Sequence, residues 1–438
     1  MKKSFKLGTL CILMSVLLAA CGGGGNTADS GTEGSNANAN GASNEKVSFE
    51  FWYGLPSVFA TSFEQLVQDF NASHPNIEVV PVNNGDVATN ALKLQAALIA
   101  GNQPAVSLMD MSQMGQFAGS LQDLNAYYPQ ESIAKFNDNL LKNSYVEDKF
   151  IAVPFNRSVS LLFYNKGMFE KAGISEAPKT WDELHATAKK LSDKANNVYG
   201  FATAADMIFL ENAIYSEGGT IISPDNKTME INSPAGQKVI QMLQDMVKDG
   251  SANIPTGDKM NAMTQLSTDF ASGKLAMIPM SSAAMTSILK SVEGRMDVGV
   301  TFLPAGTQNA VAATGSNLVM FSKSSEEQKT AAGQFLQWMT EKDNIAFLSK
   351  STGYVPVTQE AVDTETIQQL WKETPVFRVP YDELQYAHPR PIVKNYAEMN
   401  AKIEDEVTKA LLDLSITPAE ALQAASDQAQ SVLDASNK

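Results

Sequence analysis

A chain of 438 residues with 44% apolar and 8% aromatic side chains can bury a large core, and its length corresponds to two or three domains of ordinary size. Lys and Arg number 33 against 48 Asp and Glu, and a net charge of −15 repels phosphodiester backbones, which excludes nucleic acid as a partner. The one long uncharged apolar run, Leu7–Ala20, is too short to span a bilayer and sits at the N-terminus, so no internal membrane helix is expected.

Met1-Lys2-Lys3-Ser4-Phe5-Lys6 reads as a basic n-region, Leu7–Leu17 as an apolar h-region, and Leu18-Ala19-Ala20 as the residues before a cleavage site, making 1–20 a signal peptide. With Cys21, this stretch resembles the lipobox of bacterial lipoproteins. The resemblance implies that Cys21 becomes the new N-terminus and receives diacylglyceryl and fatty acyl chains such as palmitate, anchoring an extracytoplasmic protein to the cell membrane. Cys11 leaves with the signal, so the mature chain has no disulfide. Removing 1–20 takes away Lys2, Lys3 and Lys6 and no acid, leaving 30 basic and 48 acidic side chains, net −18. Residues 21–45 are Gly, Asn, Ser, Ala and Thr with few acids, a composition that cannot offset its ordering entropy and reads as a flexible tether.

From Val47 the pattern alternates strands and helices. Val47–Tyr53 reads as a strand, Phe59–Phe70 as a helix, Ile77–Val82 as a strand, Asn90–Ala100 as a helix closed by Gly101, and Ala105–Met109 as a buried strand ending at Asp110. This β-α-β-α-β order predicts a parallel or mixed sheet covered by helices. Phe150–Pro154 leads into a strand at Val159–Tyr164, followed by helices near Gly167–Ala172, Thr180–Lys194 and Ile208–Glu217, with Thr180 and Glu183 spaced as a capping box. Ser233–Lys248 is a helix with Ser233 as N-cap and Pro234 at its first position, and Met260–Ser272 another. Leu275–Met280, Val298–Leu303 and Asn317–Phe321 read as strands, and Ser325–Met339, Asn395–Asp413 and Pro418–Leu433 as helices. The class is α/β, and two lobes with a hinge crossed more than once explain one long alternating run better than a (β/α)₈ barrel.

The chemistry-bearing motifs are sparse. His74, His185 and His388 show no metal spacing, and there is no nucleophile elbow, no Walker loop and no dinucleotide fingerprint, so neither metal nor cofactor is expected. Asp110, Asp206, Glu211 and Glu217 leave a two-carboxylate glycosidase open, although acids this frequent are usually solvated surface.

A series of segments carries a stronger signal. Phe51-Trp52-Tyr53, Phe70-Asn71-Ala72-Ser73-His74-Pro75, Gly101-Asn102-Gln103-Pro104-Ala105, Val153-Pro154-Phe155-Asn156, Leu162-Phe163-Tyr164-Asn165-Lys166, Phe169-Glu170-Lys171-Ala172-Gly173, Pro178-Lys179-Thr180-Trp181-Asp182-Glu183 and Thr352-Gly353-Tyr354-Val355-Pro356, in that order and spacing, resemble the extracytoplasmic solute-binding proteins of carbohydrate-type ABC importers, nearest to glycerol 3-phosphate-binding members. The resemblance implies a monomeric, two-lobed, non-enzymatic protein with a small solute in the interlobe cleft and an ABC permease as partner. Lobe 1 is expected at 46–153 with roughly 313–350, and lobe 2 at 154–312 with roughly 351–438.

The matched positions imply ligand contacts at Ser158, Ser282, Gly315, Tyr354 and Arg390: hydroxyls, a glycine-exposed amide, a phenol and a guanidinium fork suited to an oxyanion. Where the resemblance calls for two tryptophans, a tyrosine and an acid, this chain has Ala204, Met207, Val87 and Met111, with Asp110 beside Met111. A glycerophosphodiester or a phosphonate is therefore as fitting as glycerol 3-phosphate, with a neutral sugar as the alternative. Trp52 is either a stacking surface in the cleft or core; Arg157 competes with Arg390 as the anion contact, His388 is a further ligand candidate, and His185 reads as solvated.

Overall fold

The computed structural model describes residues 46–255 and 259–436; the signal segment, Cys21 and the tether lie outside the described residues. Strand β1 (Val47–Tyr53) alternates as its sequence does, with Phe49, Phe51 and Tyr53 on the buried face. Helix α1 (Ser57–Ser73) turns Phe63, Leu66, Val67 and Phe70 toward them, and β2 (Ile77–Asn83) follows. Helix α2 (Val87–Ala100) opens with the Asp86 carboxylate accepting from the Thr89 amide, closes at Gly101 in the left-handed region, and leads to β3 (Val106–Asp110).

Two strands, β4 (Val153–Ser158) and β5 (Ser160–Asn165), stand where one is expected from sequence, separated by Val159 alone. Next come α3 (Trp181–Leu191), α4 (Met207–Ser216) and α5 (Pro234–Asp249), then strands β6 (Met277–Ser281), β7 (Val298–Phe302) and β8 (Thr314–Met320). Helices α6 (Glu326–Met339), α7 (Lys342–Thr352), α8 (Tyr396–Leu412) and α9 (Pro418–Ser436) complete the main elements. The Ser325–Gln328 capping box of α6 is complete, whereas at α3 the Glu183 carboxylate takes the Lys179 amide at 2.7 Å instead of the Thr180 amide. His185 is part-buried against Asp249 at 2.7 Å, not solvated, because α3 lays its polar edge on the end of α5.

Lobe 1 is a five-stranded sheet in the order β2-β1-β3-β8-β4, with β1 parallel to β2 and β3, and β8 antiparallel to both its neighbours. Pro154 is tolerated because β4 is an edge strand. Lobe 2 holds an antiparallel sheet, β6-β5-β7, and the helices α4, α5, α8 and α9 packed around Leu210, Leu243, Ile403 and Leu422. The chain leaves the first sheet after Ser158, not at the 153–154 junction, and returns through Phe302–Thr314. Phe155, Val159, Leu161 and Met280 belong to one apolar cluster, so the core is continuous through the crossing.

Candidate functional site

The sheet register brings residues far apart in sequence to one edge. Ser316 pairs with Asp110 and Thr314 with Ser158, so the ends of β3, β8 and β4 lie side by side. Between Gly315 and Asn317 the register shifts, a bulge that Gly315 makes possible at φ +102°; a Cβ there would stand 2.0 Å from the Asn156 carbonyl oxygen. Thr314 Oγ1 donates to the Ser158 carbonyl at 3.0 Å and lies 2.9 Å from Ser158 Oγ. Asp110 ends β3 by accepting from the Ser112 amide at 2.9 Å and its hydroxyl at 2.6 Å.

Across from this edge, lobe 2 supplies Ser160, Thr203, Ala204, Asp206, Phe209, Asn212 and the Pro279–Ser281 end of β6. With Asp110, Asn156, Ser158, Thr314, Gly315, Ser316, Tyr354 and Arg390 they enclose a cavity of about 210 Å³. Tyr354 is aimed by its neighbours. Gly353 ends α7 at φ +109° within reach of the Ser282 carbonyl, and the Val355 amide donates to the Arg157 carbonyl at 2.9 Å. Burial pushes the Tyr354 hydroxyl up to about 12, the Asn156 side chain opposing and the Asp110 charge adding, so the phenol stays protonated and is an available donor.

Arg390 reaches the cavity already paired. Its Nε lies 2.9 Å from Glu211 Oε2 and its Nη2 donates to Oε1 at 3.0 Å, with the side chains 6% and 0% exposed. The Tyr396 hydroxyl donates to the same carboxylate, and the Tyr396 ring lies 5.4 Å beneath the guanidinium. Burial works against the charge, but Glu211, with Tyr396 and Asp110 adding to it, offsets that burial and holds the arginine pKa above its ordinary value. The pair is neutral as a unit, leaving Asp110 and Asp206 as the carboxylates of the lining.

Five of the seven residues expected from sequence, Asp110, Ser158, Gly315, Tyr354 and Arg390, line this one cavity. Trp52 does not. Successive side chains of β1 face opposite ways, so Trp52 packs on the Met109–Phe117 side of the sheet and its indole N–H donates to Glu50 at 2.6 Å. Ser282 is fully buried outside the lining; its amide donates to the Val159 carbonyl at 2.8 Å and it ties β6 to the crossing, while its neighbour Ser281 faces the cavity. Arg157 is buried and absent from the lining, for β4 alternation turns it away from Asn156 and Ser158. Its Nη2 donates to Asn317 Oδ1 at 2.6 Å, its Nη1 meets the Met111 sulfur, and its Nε has no partner among the described residues. His388 stacks on Tyr215 with centroids 5.3 Å apart, outside the cavity.

Of the four acids open to a glycosidase role, Glu211 is committed to Arg390, Glu217 to Lys238 at 2.8 Å, and Asp206 to the N-terminus of α4, where it accepts from the Phe209 amide at 2.8 Å. Sequence reasoning missed Asn156, Ser160, Thr203, Asn212, Ser281, Thr314 and Ser316 as lining. Asp206, on the same wall, carries a local signal of its position, an acid directly before an apolar helix.

The family model for bacterial extracellular solute-binding protein matches residues 65–375. The sn-glycerol-3-phosphate-binding periplasmic protein UgpB of Escherichia coli (strain K12) is 27% identical over 413 residues, covering 87% of this chain and 92% of that protein. The protein of the same name from Pectobacterium atrosepticum is 25% identical over 415 residues, covering 87% of this chain and 90% of that protein. Among solved structures, UgpB from Mycobacterium tuberculosis in complex with glycerophosphocholine superposes with a TM-score of 0.78 at 24% identity, covering 89% of this chain and 99% of that chain. The cyclic alpha-maltosyl-1,6-maltose binding protein from Arthrobacter globiformis superposes with a TM-score of 0.77 at 24% identity, again over 89% and 99%.

Proposed function

As the chain belongs to the bacterial extracellular solute-binding proteins, we propose that its cleft captures a small phosphorylated or phosphonate solute of the glycerol 3-phosphate type. The protein is a solute-binding component of an ABC importer, and closure of the lobes on the solute prepares its delivery to the permease. The observation that carries the ligand reading is the convergence of Ser158, Gly315, Tyr354 and Arg390 on one cavity of about 210 Å³. Two hydroxyls, a glycine amide and a guanidinium answer the oxygens of a phosphate, and the volume suits a small solute better than an oligosaccharide. The relatives at 25–27% identity are named for binding sn-glycerol 3-phosphate, which supports the same class.

A neutral sugar is the second reading. It is favoured by the hydroxyl-rich wall and by Glu211, which cancels the Arg390 charge before any ligand arrives. The mature protein is a monomer held by acylated Cys21 on the outer side of the membrane, and Cys21→Ser should abolish incorporation of labelled palmitate. A thermal-shift screen decides between the ligand classes. A solute at a hundred times its dissociation constant adds about 2.7 kcal/mol to folding stability. Stabilisation by glycerol 3-phosphate, glycerophosphocholine or 2-aminoethylphosphonate, and not by maltose or trehalose, supports the phosphate reading. The reverse result replaces it with the sugar reading.

A further inference from the structure

Arg390 is also a wall of a second, larger space. On its other side a groove of about 910 Å³ runs between the lobes, more than four times the volume of the inner cavity. Its lobe 1 bank carries Lys142 and Tyr145, its lobe 2 bank Tyr215, Gly218–Pro224 and Asn226, and its floor the Pro389–Lys394 stretch. The lining contains no Asp or Glu, although the chain as a whole has 48 of them against 33 Lys and Arg. Lys142 and Lys394 are exposed into it, and neither makes an ion pair among the described residues; Lys142 Nζ donates to the Asn139 side chain at 2.9 Å. Tyr215 and His388 form a stacked platform beside them, tilted 24°. Burial and the nearby Lys142 charge lower the His388 pKa, so the ring is neutral at pH 7 and the two ammonium groups supply the positive field.

We propose that this groove is an outer subsite for a second anionic group of an elongated ligand, a polyol phosphate ester carrying two phosphates. The first phosphate sits in the inner cavity and the linking polyol passes Arg390. The second phosphate meets Lys142 and Lys394, with the linker's C–H face against the Tyr215–His388 platform. The proposal rests on the phosphate reading of the inner cavity and extends it to longer ligands. A groove built only for access has no reason to exclude every carboxylate from its lining in so acidic a protein.

Isothermal titration of the intact mature protein with glycerol 3-phosphate and with glycerophosphoglycerol phosphate, a dimer bearing two phosphates, tests it. The dimer should bind about tenfold more tightly, the scale of two part-exposed charge contacts, and the advantage should fade between 50 mM and 500 mM salt. The double variant Lys142→Ala/Lys394→Ala, both exposed positions, should erase the advantage and leave glycerol 3-phosphate affinity unchanged; Lys142→Glu should invert it. Glycerol 3-phosphate binding with no advantage for the dimer, or an equal loss of both ligands in the double variant, overturns the outer subsite alone. Binding of neither compound overturns the inner phosphate reading and the subsite with it.

Discussion

The pair of Arg390 and Glu211 sits 179 residues apart in sequence and is almost wholly buried, so it is the place where one substitution tests both fold and site. Glu211→Gln keeps the shape of the side chain and removes the charge opposite the guanidinium. At about 4 Å and an effective dielectric near 20 the lost Coulomb attraction is about 4 kcal/mol, in line with the roughly 3–5 kcal/mol cost of breaking a buried pair by removing one partner. With about 2.1 cal/mol/K of unfolding entropy per residue, a loss of that size lowers Tm by about 5 °C in a body of nearly four hundred residues. Arg390→Met should cost a similar amount, since it strands the carboxylate among Tyr396 and apolar neighbours. The double variant should then lose well under the sum of the two, with a coupling of about 2 kcal/mol or more. Urea unfolding followed by tryptophan fluorescence gives all three values. Single-variant costs below about 1 kcal/mol, or strictly additive costs, would refute the view that the pair is desolvated and mutually dependent.

Tyr354→Phe should weaken ligand binding by about 1 kcal/mol, roughly fivefold in Kd, since it deletes one neutral hydrogen bond; a loss a hundred times larger in titration calorimetry would give the phenol a charge-bearing role. Gly315→Ala puts a methyl 2.0 Å from the Asn156 carbonyl at φ +102°, so binding should be lost together with the bulge, and an unaltered Kd would remove Gly315 from the site. Arg157, pushed down to about 9 by burial against the pull of Asp110, is a charge without a carboxylate hydrogen bond; Arg157→Met should stabilise the protein by about 1–4 kcal/mol in urea titrations, and destabilisation would mean that its bond to Asn317 outweighs its desolvation. Glu383, 3% exposed with only the Leu303 amide donating to it among the described residues, has a pKa well above 4.5 through burial. Its folded form binds the proton more tightly than its unfolded form, so the stability it contributes is complete below about pH 4.5 and is lost as pH rises through the raised value. Glu383→Gln should flatten that decline, and an unchanged pH profile of Tm would show the carboxyl to be ionised in place.

Much of this was legible in the sequence because it is local. Alternation placed β1, helical spacing placed α1, and caps at Gly101 and Ser233 set helix ends, each through contacts within a few residues. The motif series also picked out Ser158, Gly315, Tyr354 and Arg390, which line one cavity. What remained hidden depends on distant partners. One strand was expected where β4 and β5 stand, since only the sheet pairing divides them at Val159, and no periodicity says that β8 enters between β3 and β4 some two hundred residues after the first of them. Which way Trp52 and Arg157 point follows from the face each strand turns to its sheet neighbours, and a one-residue difference in phase sends a side chain to the cleft or away from it. The neutralisation of Arg390 is of the same kind. Nothing near either residue announces the other, and the tertiary fold alone, by excluding water from both, turns a surface-type cation into half of a buried pair and so decides what charge the cleft offers a solute.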